Sequence, residues 1–350
     1  MCREYPSQDV GLELTLAGRD VQAGDLARAA ARVSNALICA PGLPEVHEML
    51  ARLVAHPRGG RGLFPLTSPM ALATVVARAY VVAAEGDFDC GLRLLLKAQA
   101  YAPEIGWADV PWVTDPATAS LIDPSVAANL AIDLLELLRV RGSDSLRPAM
   151  KPYLQLIRNT IAAHPDHTNL LGAAGYFFRR FDVAEAADYA TRADQLAPCH
   201  ASAIALALIY RDLGLTSQAL AAFERALTYE PGDLEVYADI CNLLLDADRL
   251  DEALTYARRA LAIEPGHICS QIAALAVQFR QNRKAADLDA LIDFCQAQPA
   301  DSHARSHGES VLQSTVMKTA SQTVTLTGSP KEIQEQIRRS LGDRPDDICR

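Results

Sequence analysis

The chain has 350 residues, of which 50% are hydrophobic and 22% are charged, and its formal net charge at pH 7 is −10. The negative charge argues against binding to a nucleic-acid phosphate backbone, which normally needs a basic surface. The first residues, MCREYPSQDV, lack the apolar region of a signal peptide. The longest apolar runs are too short to span a bilayer. The composition therefore predicts a cytoplasmic protein that binds neither nucleic acid nor membrane.

Residues 1–165 contain two segments that share one pattern. Residues 23–41 and 85–103 each begin near a Gly-Asp pair, continue with small and apolar residues at helical spacing, and end at a proline. This pattern is typical of the second helix of an antiparallel helix pair. A further, degenerate pair extends roughly from residue 124 to residue 164. We therefore expect residues 1–165 to form degenerate helical repeats.

A first insertion into these repeats, at about residues 56–70, contains a glycine-rich basic stretch with Arg58 and Arg61. It lacks the Gly-Lys-Ser/Thr ending of a phosphate-binding loop. An exposed mobile loop is the favoured interpretation. The alternative is a contact with an anion or an acidic peptide, anchored by Phe64. On that alternative, Arg58 and Arg61 are candidates for a secondary contact with a partner.

A second insertion, at about residues 104–123, contains both tryptophans of the chain, Trp107 and Trp112. Its prolines and glycines exclude a long helix. We expect the two tryptophans to hold a long loop against the core. The alternative is that they stack on a bound ligand, in which case both belong to the secondary contact.

From Pro165 onward, prolines recur at intervals of 33 or 34 residues, and each follows a pair of amphipathic segments. The segments are about 14 residues long and too close together for anything but an antiparallel hairpin. A period of this size indicates one supersecondary unit copied in series. We therefore predict four tandem hairpins within residues 166–299. The prolines that define them are Pro165, Pro198, Pro231, Pro265 and Pro299.

The sequence of these hairpins resembles the tetratricopeptide repeat (TPR) family, with small residues where helices touch and aromatic residues around them. A glycine of the family pattern is replaced by Ala or Cys, which are also small. The resemblance implies an all-α fold, a right-handed superhelical solenoid of antiparallel helix pairs. The residues that carry it are Tyr237, Ile240, Ala253, Ala260 and Pro265 in one copy, Leu206, Tyr210, Ala219, Phe223, Ala226 and Pro231 in another, and, more loosely, Phe177, Ala186, Ala193 and Pro198.

In this family the inner helices line a concave groove that binds a protein or peptide, so the resemblance implies such a groove here. Its arginines could hold carboxylates bidentately, and the amide of Asn242 could bind a peptide backbone. The lysine–asparagine clamp of chaperone-binding members is not reproduced, so chaperone binding is not implied. The implied groove residues are Phe178, Arg179, Leu208, Arg211, Asn242, Leu245, Asp246, Phe279 and Arg280.

The last part of the chain, residues 300–350, does not continue the repeat. Residues 301–322 are polar and rich in Ser, His and Thr, which predicts a mobile linker. The alternating residues 323–327, TVTLT, predict a short strand. A terminal helix is expected to begin after Ser329. We therefore predict a short C-terminal β/α tail that docks on the body or pairs with another chain.

Histidines and cysteines fall at several turns between repeats, but their spacing matches no zinc motif. His303 and His307 are four residues apart in a segment without helical periodicity, which we interpret as a weak signal. The chain contains neither a nucleophile-elbow nor a dinucleotide-binding motif. We therefore expect no metal site, no cofactor and no catalytic residues.

These features predict a non-enzymatic scaffold or adaptor that binds a partner protein or peptide in the concave groove. Self-association through exposed end helices is a further expectation. One alternative is a regulator that senses a ligand or peptide. Another is an accessory subunit of an enzyme complex, although the residues after the last repeat are too few for an ordinary catalytic domain.

Overall fold

The computed structural model describes residues 10–66, 71–141, 146–300 and 302–321, and these residues form helices and turns without a strand. No helix among them is both long and apolar enough to cross a membrane. The prediction of an all-α fold is therefore confirmed for this part of the chain. The predicted strand at 323–327 and the terminal helix lie outside the described residues.

The chain divides into two compact units, Met1–Ala197 and Pro198–Arg350. In its described residues the first unit contains eleven α-helices and a short 3-10 helix, Arg61–Leu63. The α-helices are α1 (Val10–Gln22), α2 (Leu26–Cys39), α3 (Pro44–Ala55), α4 (Leu72–Ala84), α5 (Phe88–Tyr101), α6 (Pro111–Thr114), α7 (Pro116–Ala119), α8 (Pro124–Arg141), α9 (Arg147–Ala163), α10 (Thr168–Phe178) and α11 (Val183–Leu196).

Helix pairs α1–α2, α4–α5 and α10–α11 of the first unit pack as antiparallel hairpins. Pair α10–α11 follows Pro165, which the sequence pattern places at the start of the regular repeats. It nevertheless belongs to the first unit, because α10 packs extensively against α8. The boundary between the two units therefore lies at Ala197–Pro198, one repeat later than the boundary that the proline spacing suggests.

Short Gly-Asp turns separate the two helices of the first hairpins. Gly24 and Gly86 adopt φ values of 77° and 90°, a left-handed conformation that suits glycine. The aspartates that follow, Asp25 and Asp87, accept a hydrogen bond from the backbone N–H three residues later and so cap the next helix. Each Gly-Asp pair therefore ends one helix and begins the next.

The second unit contains seven helices in its described residues. They are α12 (His200–Asp212), α13 (Thr216–Tyr229), α14 (Leu234–Asp246), α15 (Leu250–Ile263), α16 (Ile268–Asn282), α17 (Ala285–Gln296) and α18 (His303–Ser321). Pairs α12–α13, α14–α15 and α16–α17 pack as hairpins. In each pair the second helix ends two or three residues before its proline, Pro231, Pro265 or Pro299. The helix pairs that the sequence predicts between these prolines are therefore present.

Small residues occupy the contacts between the helices of these hairpins. Ala219, Ala226, Ala253 and Ala260 have no exposed surface, and neither does Cys241 of α14. The Cys241 thiol donates a hydrogen bond of 3.4 Å to the carbonyl of Ala253 on the facing helix. Because these side chains are small, the two helix axes of a hairpin can approach closely. The packing role that the sequence pattern assigns to them is confirmed.

The largest difference from the sequence-based expectation is helix α18. The segment predicted to be a mobile linker is helical and packs on α16 and α17, with further contacts to α14. Val316 of α18 joins Phe279 of α16 in a buried hydrophobic cluster that also contains Leu288 and Ile292 of α17. Arg305 donates hydrogen bonds to the carbonyls of Cys295 and Gln296, so it binds the last turn of α17. Tertiary contacts therefore hold a segment whose own polar composition gives little indication of helix.

Candidate functional site

The candidate site is the inner face of the second unit, formed by α12, α14 and α16, which we call the groove. Helix α18 lies over it, and between them is a cavity of about 350 Å³. The groove side contributes the predicted residues Arg211, Asn242, Leu245 and Asp246, together with Asp239. The α18 side is mostly polar and contributes His303, Ser306, His307, Ser310, Val311, Ser314 and Thr315.

Two predicted groove residues are involved in the packing of α18. The carboxylate of Asp246 accepts a hydrogen bond of 2.7 Å from the Ser314 hydroxyl, and the Lys318 ammonium lies 4.0 Å from the same carboxylate. Phe279 has no exposed surface, and it belongs to the same buried hydrophobic cluster as Val316 of α18. In this conformation the chain's own helix therefore occupies part of the predicted binding surface.

The wall of the cavity away from α18 is polar. Arg211 donates a hydrogen bond of 2.9 Å to the carboxylate of Asp239. The Asn242 side-chain oxygen is buried and has no hydrogen-bond partner among the described residues. A buried acceptor without a partner is costly, so this oxygen favours a bound group that carries a donor. Leu208 lies one helical turn before Arg211 on α12 and is partly exposed.

Arg280 has a structural role that the sequence-based interpretation missed. Its side chain is only 2% exposed, and its guanidinium donates to the Leu245 carbonyl and, at 2.6 Å, to the Asp248 carboxylate. Burial lowers the pKa of Arg280, and the negative charge of Asp248 opposes this effect. The predicted contact of Arg280 with a partner's carboxylate is therefore wrong for this conformation, since the guanidinium holds the end of α14.

Phe178 and Arg179, the remaining predicted groove residues, belong to the first unit. Phe178 has no exposed surface. The Arg158 guanidinium lies 4.9 Å from the centre of its ring, and the Tyr189 ring packs at 5.2 Å. The prediction that Phe178 contacts a partner is therefore wrong for this conformation, because the ring belongs to the core. Arg179 is partly exposed at the end of α10, and its role stays a prediction.

The first insertion is held to the first unit. Phe64 is 1% exposed, so it is a core residue and cannot anchor a partner in this conformation. Arg58 donates a hydrogen bond of 3.0 Å to the Gly24 carbonyl, and Arg61 forms an ion pair of 2.8 Å with Glu85. Both arginines therefore have partners within the unit, and their contact with another molecule stays a prediction.

The two tryptophans of the second insertion differ in exposure. Trp107 is fully buried. Its indole N–H donates a hydrogen bond of 3.0 Å to the Ala102 carbonyl, and the Tyr80 hydroxyl donates one of 2.6 Å to the Trp107 carbonyl. Trp112 packs against Phe88 at a ring distance of 5.8 Å and lines an apolar cavity of about 240 Å³. Trp107 therefore holds the loop to the core, while Trp112 is left as the candidate for a secondary contact.

A group of possible metal ligands lies where α18 begins. One donor atom each from Cys269, His303 and His307 lies within 4.8 Å of the other two, and the same holds for Glu235, His267 and Cys269. Burial raises the pKa of the Cys269 thiol to about 11, with Glu235 and Asp239 adding to the effect. Burial also lowers the pKa of His307.

The sequence-based expectation of no metal-ligand group assumed that residues 303–307 are not helical. In α18 these two histidines lie one turn apart on the same face. The four-residue spacing of His303 and His307 was the feature of the sequence that could have indicated this group of metal ligands.

The stacked antiparallel hairpins and the groove define a helical-repeat protein. Residues 210–279 match the family model of the tetratricopeptide repeat, so this part of the chain carries repeats of that family. Repeats of this family are generally non-enzymatic interaction modules. No curated protein matches the sequence.

Solved structures of other tetratricopeptide repeat proteins resemble the chain at low identity. A thermophilic tetratricopeptide repeat protein of Thermus thermophilus is 19% identical, with 60% of this chain and 100% of that chain covered and a TM-score of 0.37. A tetratricopeptide repeat protein of Parabacteroides merdae is 11% identical, with coverages of 87% and 98% and a TM-score of 0.41. YrrB, described as having an unusual peptide-binding site, is 19% identical, with coverages of 54% and 92% and a TM-score of 0.38. No functional assignment follows from similarities of this size.

Proposed function

We propose that this protein is a non-enzymatic interaction scaffold whose second unit binds a helical segment of a partner protein in the groove. The observation that carries the proposal is the packing of α18 on predicted groove residues, by a hydrogen bond to Asp246 and by a hydrophobic cluster that contains Phe279. A surface that accommodates one helix of this chain has the shape and polarity to accept a helix of similar pattern from another protein.

The contacts of α18 indicate the chemistry of such a segment. Val316 supplies an apolar side chain to the cluster that contains Phe279, while Ser314 and Lys318 direct a hydroxyl and an ammonium group to Asp246. Asp239 and Asp246 give the cavity wall a negative character that Arg211 offsets only in part. The expected partner helix is therefore amphipathic, with an apolar residue flanked by hydrogen-bond donors and a positive charge.

Exchange between α18 and a partner requires that α18 can leave the groove. Among its residues 303–318 only a few side chains are buried, including Val311, Thr315 and Val316, while Met317 is 46% exposed. Elements with few buried apolar contacts open at a low cost in free energy. Helix α18 is therefore suited to act as an internal competitor that a tighter-binding segment displaces.

A second candidate function is sensing of a small polar ligand, and the cavity favours it. Its volume of about 350 Å³ is within the range of small-molecule sites. Two of its lining atoms, the Asn242 side-chain oxygen and His307 Nε2, are buried without hydrogen-bond partners among the described residues. A ligand with both a donor and an acceptor would satisfy them.

A labelled synthetic peptide of residues 302–321 tests the proposed groove. We expect it to bind the full chain carrying Val316→Asp, whose own α18 is weakened, at least about tenfold more tightly than the wild-type chain. An attached competitor acts at an effective concentration that reaches the millimolar range. Fluorescence anisotropy measures the affinity, and circular dichroism verifies that the variant is folded.

Two controls make this experiment specific for the groove. A peptide that itself carries Val316→Asp should not bind. Adding Asp246→Arg to the Val316→Asp chain should weaken peptide binding, because the arginine repels Lys318. If the wild-type peptide binds neither chain, or if Asp246→Arg leaves its affinity unchanged, the groove is not the binding surface.

A further inference from the structure

Donor side chains from three helices of the second unit meet beside the groove. Cys269 lies in the first turn of α16, and Glu235 lies in the first turn of α14. His303 and His307 lie one turn apart at the start of α18. Cys269 belongs to two groups whose donor atoms lie close together. One group contains both of these histidines, and the other contains Glu235 and His267. The sulfur of Cys269 is thus the common centre of the arrangement.

The spacing of these donors suits a transition-metal ion. Zinc binds sulfur at about 2.3 Å and imidazole nitrogen at about 2.0 to 2.1 Å, so tetrahedral donors lie roughly 3.3 to 3.8 Å apart. The donors of Cys269, His303 and His307 lie within 4.8 Å of one another. A displacement of at most about 1.5 Å would complete the geometry. The His303 side chain is 72% exposed and can make this movement by rotating.

An independent observation at the same place is a nitrogen without a partner. His307 Nε2 is buried and has no hydrogen-bond partner among the described residues. Burying a polar atom in this way costs on the order of 1 to 3 kcal/mol. Coordination of a metal ion would use the lone pair of a neutral imidazole. The orphaned nitrogen belongs to an imidazole that also has a ring nitrogen close to the Cys269 sulfur, so both observations favour a metal ion at this place.

We propose that Cys269, His303 and His307 bind a Zn²⁺ ion, with the Glu235 carboxylate as the fourth ligand. Glu235 lies 3.5 Å from His303 Nε2, so its carboxylate is within reach of the same ion. Sulfur and imidazole donors select zinc over magnesium or calcium, which prefer oxygen ligands. This proposal departs from the expectation from sequence that the chain has no metal site.

The metal ion would connect α14, α16 and α18 and so hold α18 over the groove. In the metal-bound chain the internal competitor is stabilised, because ion binding favours the docked helix by mass action. This consequence rests on the proposed function, whereas the metal site itself does not. Zinc binding would then lower the affinity of the groove for a helix supplied from outside.

Titration of the tag-free full chain with Co²⁺, a spectroscopic substitute for Zn²⁺, tests the site. We expect one equivalent to produce the thiolate-to-cobalt charge-transfer band and the intense d–d bands of a tetrahedral complex, and excess Zn²⁺ to remove both. The charge-transfer band should be absent in Cys269→Ser. His303→Ala, at an exposed position that folding tolerates, should lower the affinity at least about tenfold.

Matched controls come from residues outside the proposed site. Cys39→Ser removes an exposed thiol of the first unit. His200→Ala removes the histidine of another donor group, His200 with Glu230 and Asp233, which contains no sulfur. Both variants should retain the Co²⁺ spectrum. Absence of a charge-transfer band in the folded wild-type chain, or its persistence in Cys269→Ser, would overturn the proposed site.

The proposed effect of Zn²⁺ on peptide binding in the groove is tested by a separate measurement. Affinity of the wild-type chain for a peptide of residues 302–321 that carries His303→Ala and His307→Ala, and so lacks the proposed zinc ligands, should fall when Zn²⁺ is added, and it should not change in Cys269→Ser. If the cobalt spectrum appears as expected but the peptide affinity does not respond to Zn²⁺, the metal site stands and its link to the groove is wrong. If the peptide binds no form of the chain, the proposed function fails and the site is judged by the spectrum alone.

Discussion

Gly308 of α18 faces Cys295 of α17 so closely that a Cβ atom at position 308 would lie 2.8 Å from the Cys295 sulfur. The same Cβ would lie 3.2 Å from the end of the Ile272 side chain. Real Cβ atoms do not approach so closely, so the glycine is what allows α18 to pack at this distance. Docking of α18 onto the repeats therefore depends on the absence of a side chain at Gly308.

Gly308→Ala is expected to weaken the docking of α18 by about 1 to 3 kcal/mol, the usual cost of overpacking a close contact. Hydrogen exchange of the α18 amides should accelerate, and the peptide of residues 302–321 should bind the variant more tightly than the wild-type chain. The matched control is Gly172→Ala in the middle of α10, where a Cβ would meet nothing within 4 Å. That change should be neutral or slightly stabilising, because alanine favours the helix. Unchanged amide exchange in Gly308→Ala would show that α18 is not held by this contact.

Arg280 and Arg211 look alike in sequence but differ in burial, with side chains 2% and 29% exposed. Arg280→Met should lower the free energy of unfolding by about 1 to 3 kcal/mol, because it leaves the Leu245 carbonyl without its donor. Arg211→Met removes a partly exposed ion pair with Asp239 and should cost less than about 1 kcal/mol. Urea unfolding followed by circular dichroism measures both values. Equal losses in the two variants would contradict a structural role specific to Arg280.

Glu185 of α11 joins two helices of the first unit. Its carboxylate accepts two hydrogen bonds of 2.7 Å from Arg158 and one of 2.7 Å from the Tyr189 hydroxyl. The hydrogen bond from Arg158 is the largest cause that lowers the pKa of Glu185 below its ordinary value of 4.5. A carboxyl group whose folded-state pKa is lowered contributes stability above its ordinary pKa and loses it as the pH falls through the folded-state value.

Glu185→Gln should therefore destabilise the protein at pH 7 by about 1 kcal/mol, a value kept small by partial solvent screening. The difference from wild type should shrink below pH 4.5 and vanish once the wild-type carboxyl is protonated. Denaturant titrations at pH 7 and at successively lower pH measure this trend. Glu252→Gln is the control, because Glu252 has the same two-bond geometry with Arg249 at an exposed site and should show a smaller change. A pH-independent difference for Glu185→Gln would contradict the linkage.

The helix pairs and their register were predictable because the information is local. Proline stops each second helix, Gly-Asp turns begin the next, and the 3.6-residue period identifies the buried face. Ala219 and Ala253 are buried at the helix contacts as that period requires. The interpretation of Trp107 as a core residue was equally accessible, since a large aromatic side chain in a long loop usually holds that loop to the core.

The groove was predicted less well, because exposure depends on what else covers a surface. The resemblance treated Phe279 and Arg280 as groove residues. Arg280 instead donates a hydrogen bond to the end of α14, and Phe279 is buried in a cluster with Val316 of α18. The same helix brings His303 and His307 to Cys269, more than thirty residues earlier in the chain. Periodicity within one segment carries no information about contacts at such separations.

The sequence by itself determined that this protein is a series of antiparallel helix pairs, since the hydrophobic period and the proline spacing are properties of neighbouring residues. Only the tertiary structure decided that α18 is a helix lying over the groove. Its helical state depends on a few long-range contacts, of which the clearest are those of Val316 with the cluster that contains Phe279 and of Gly308 with Cys295. Burial free energy from these contacts outweighs the weak local preference of a polar segment, and no single segment of the sequence contains both sides of them.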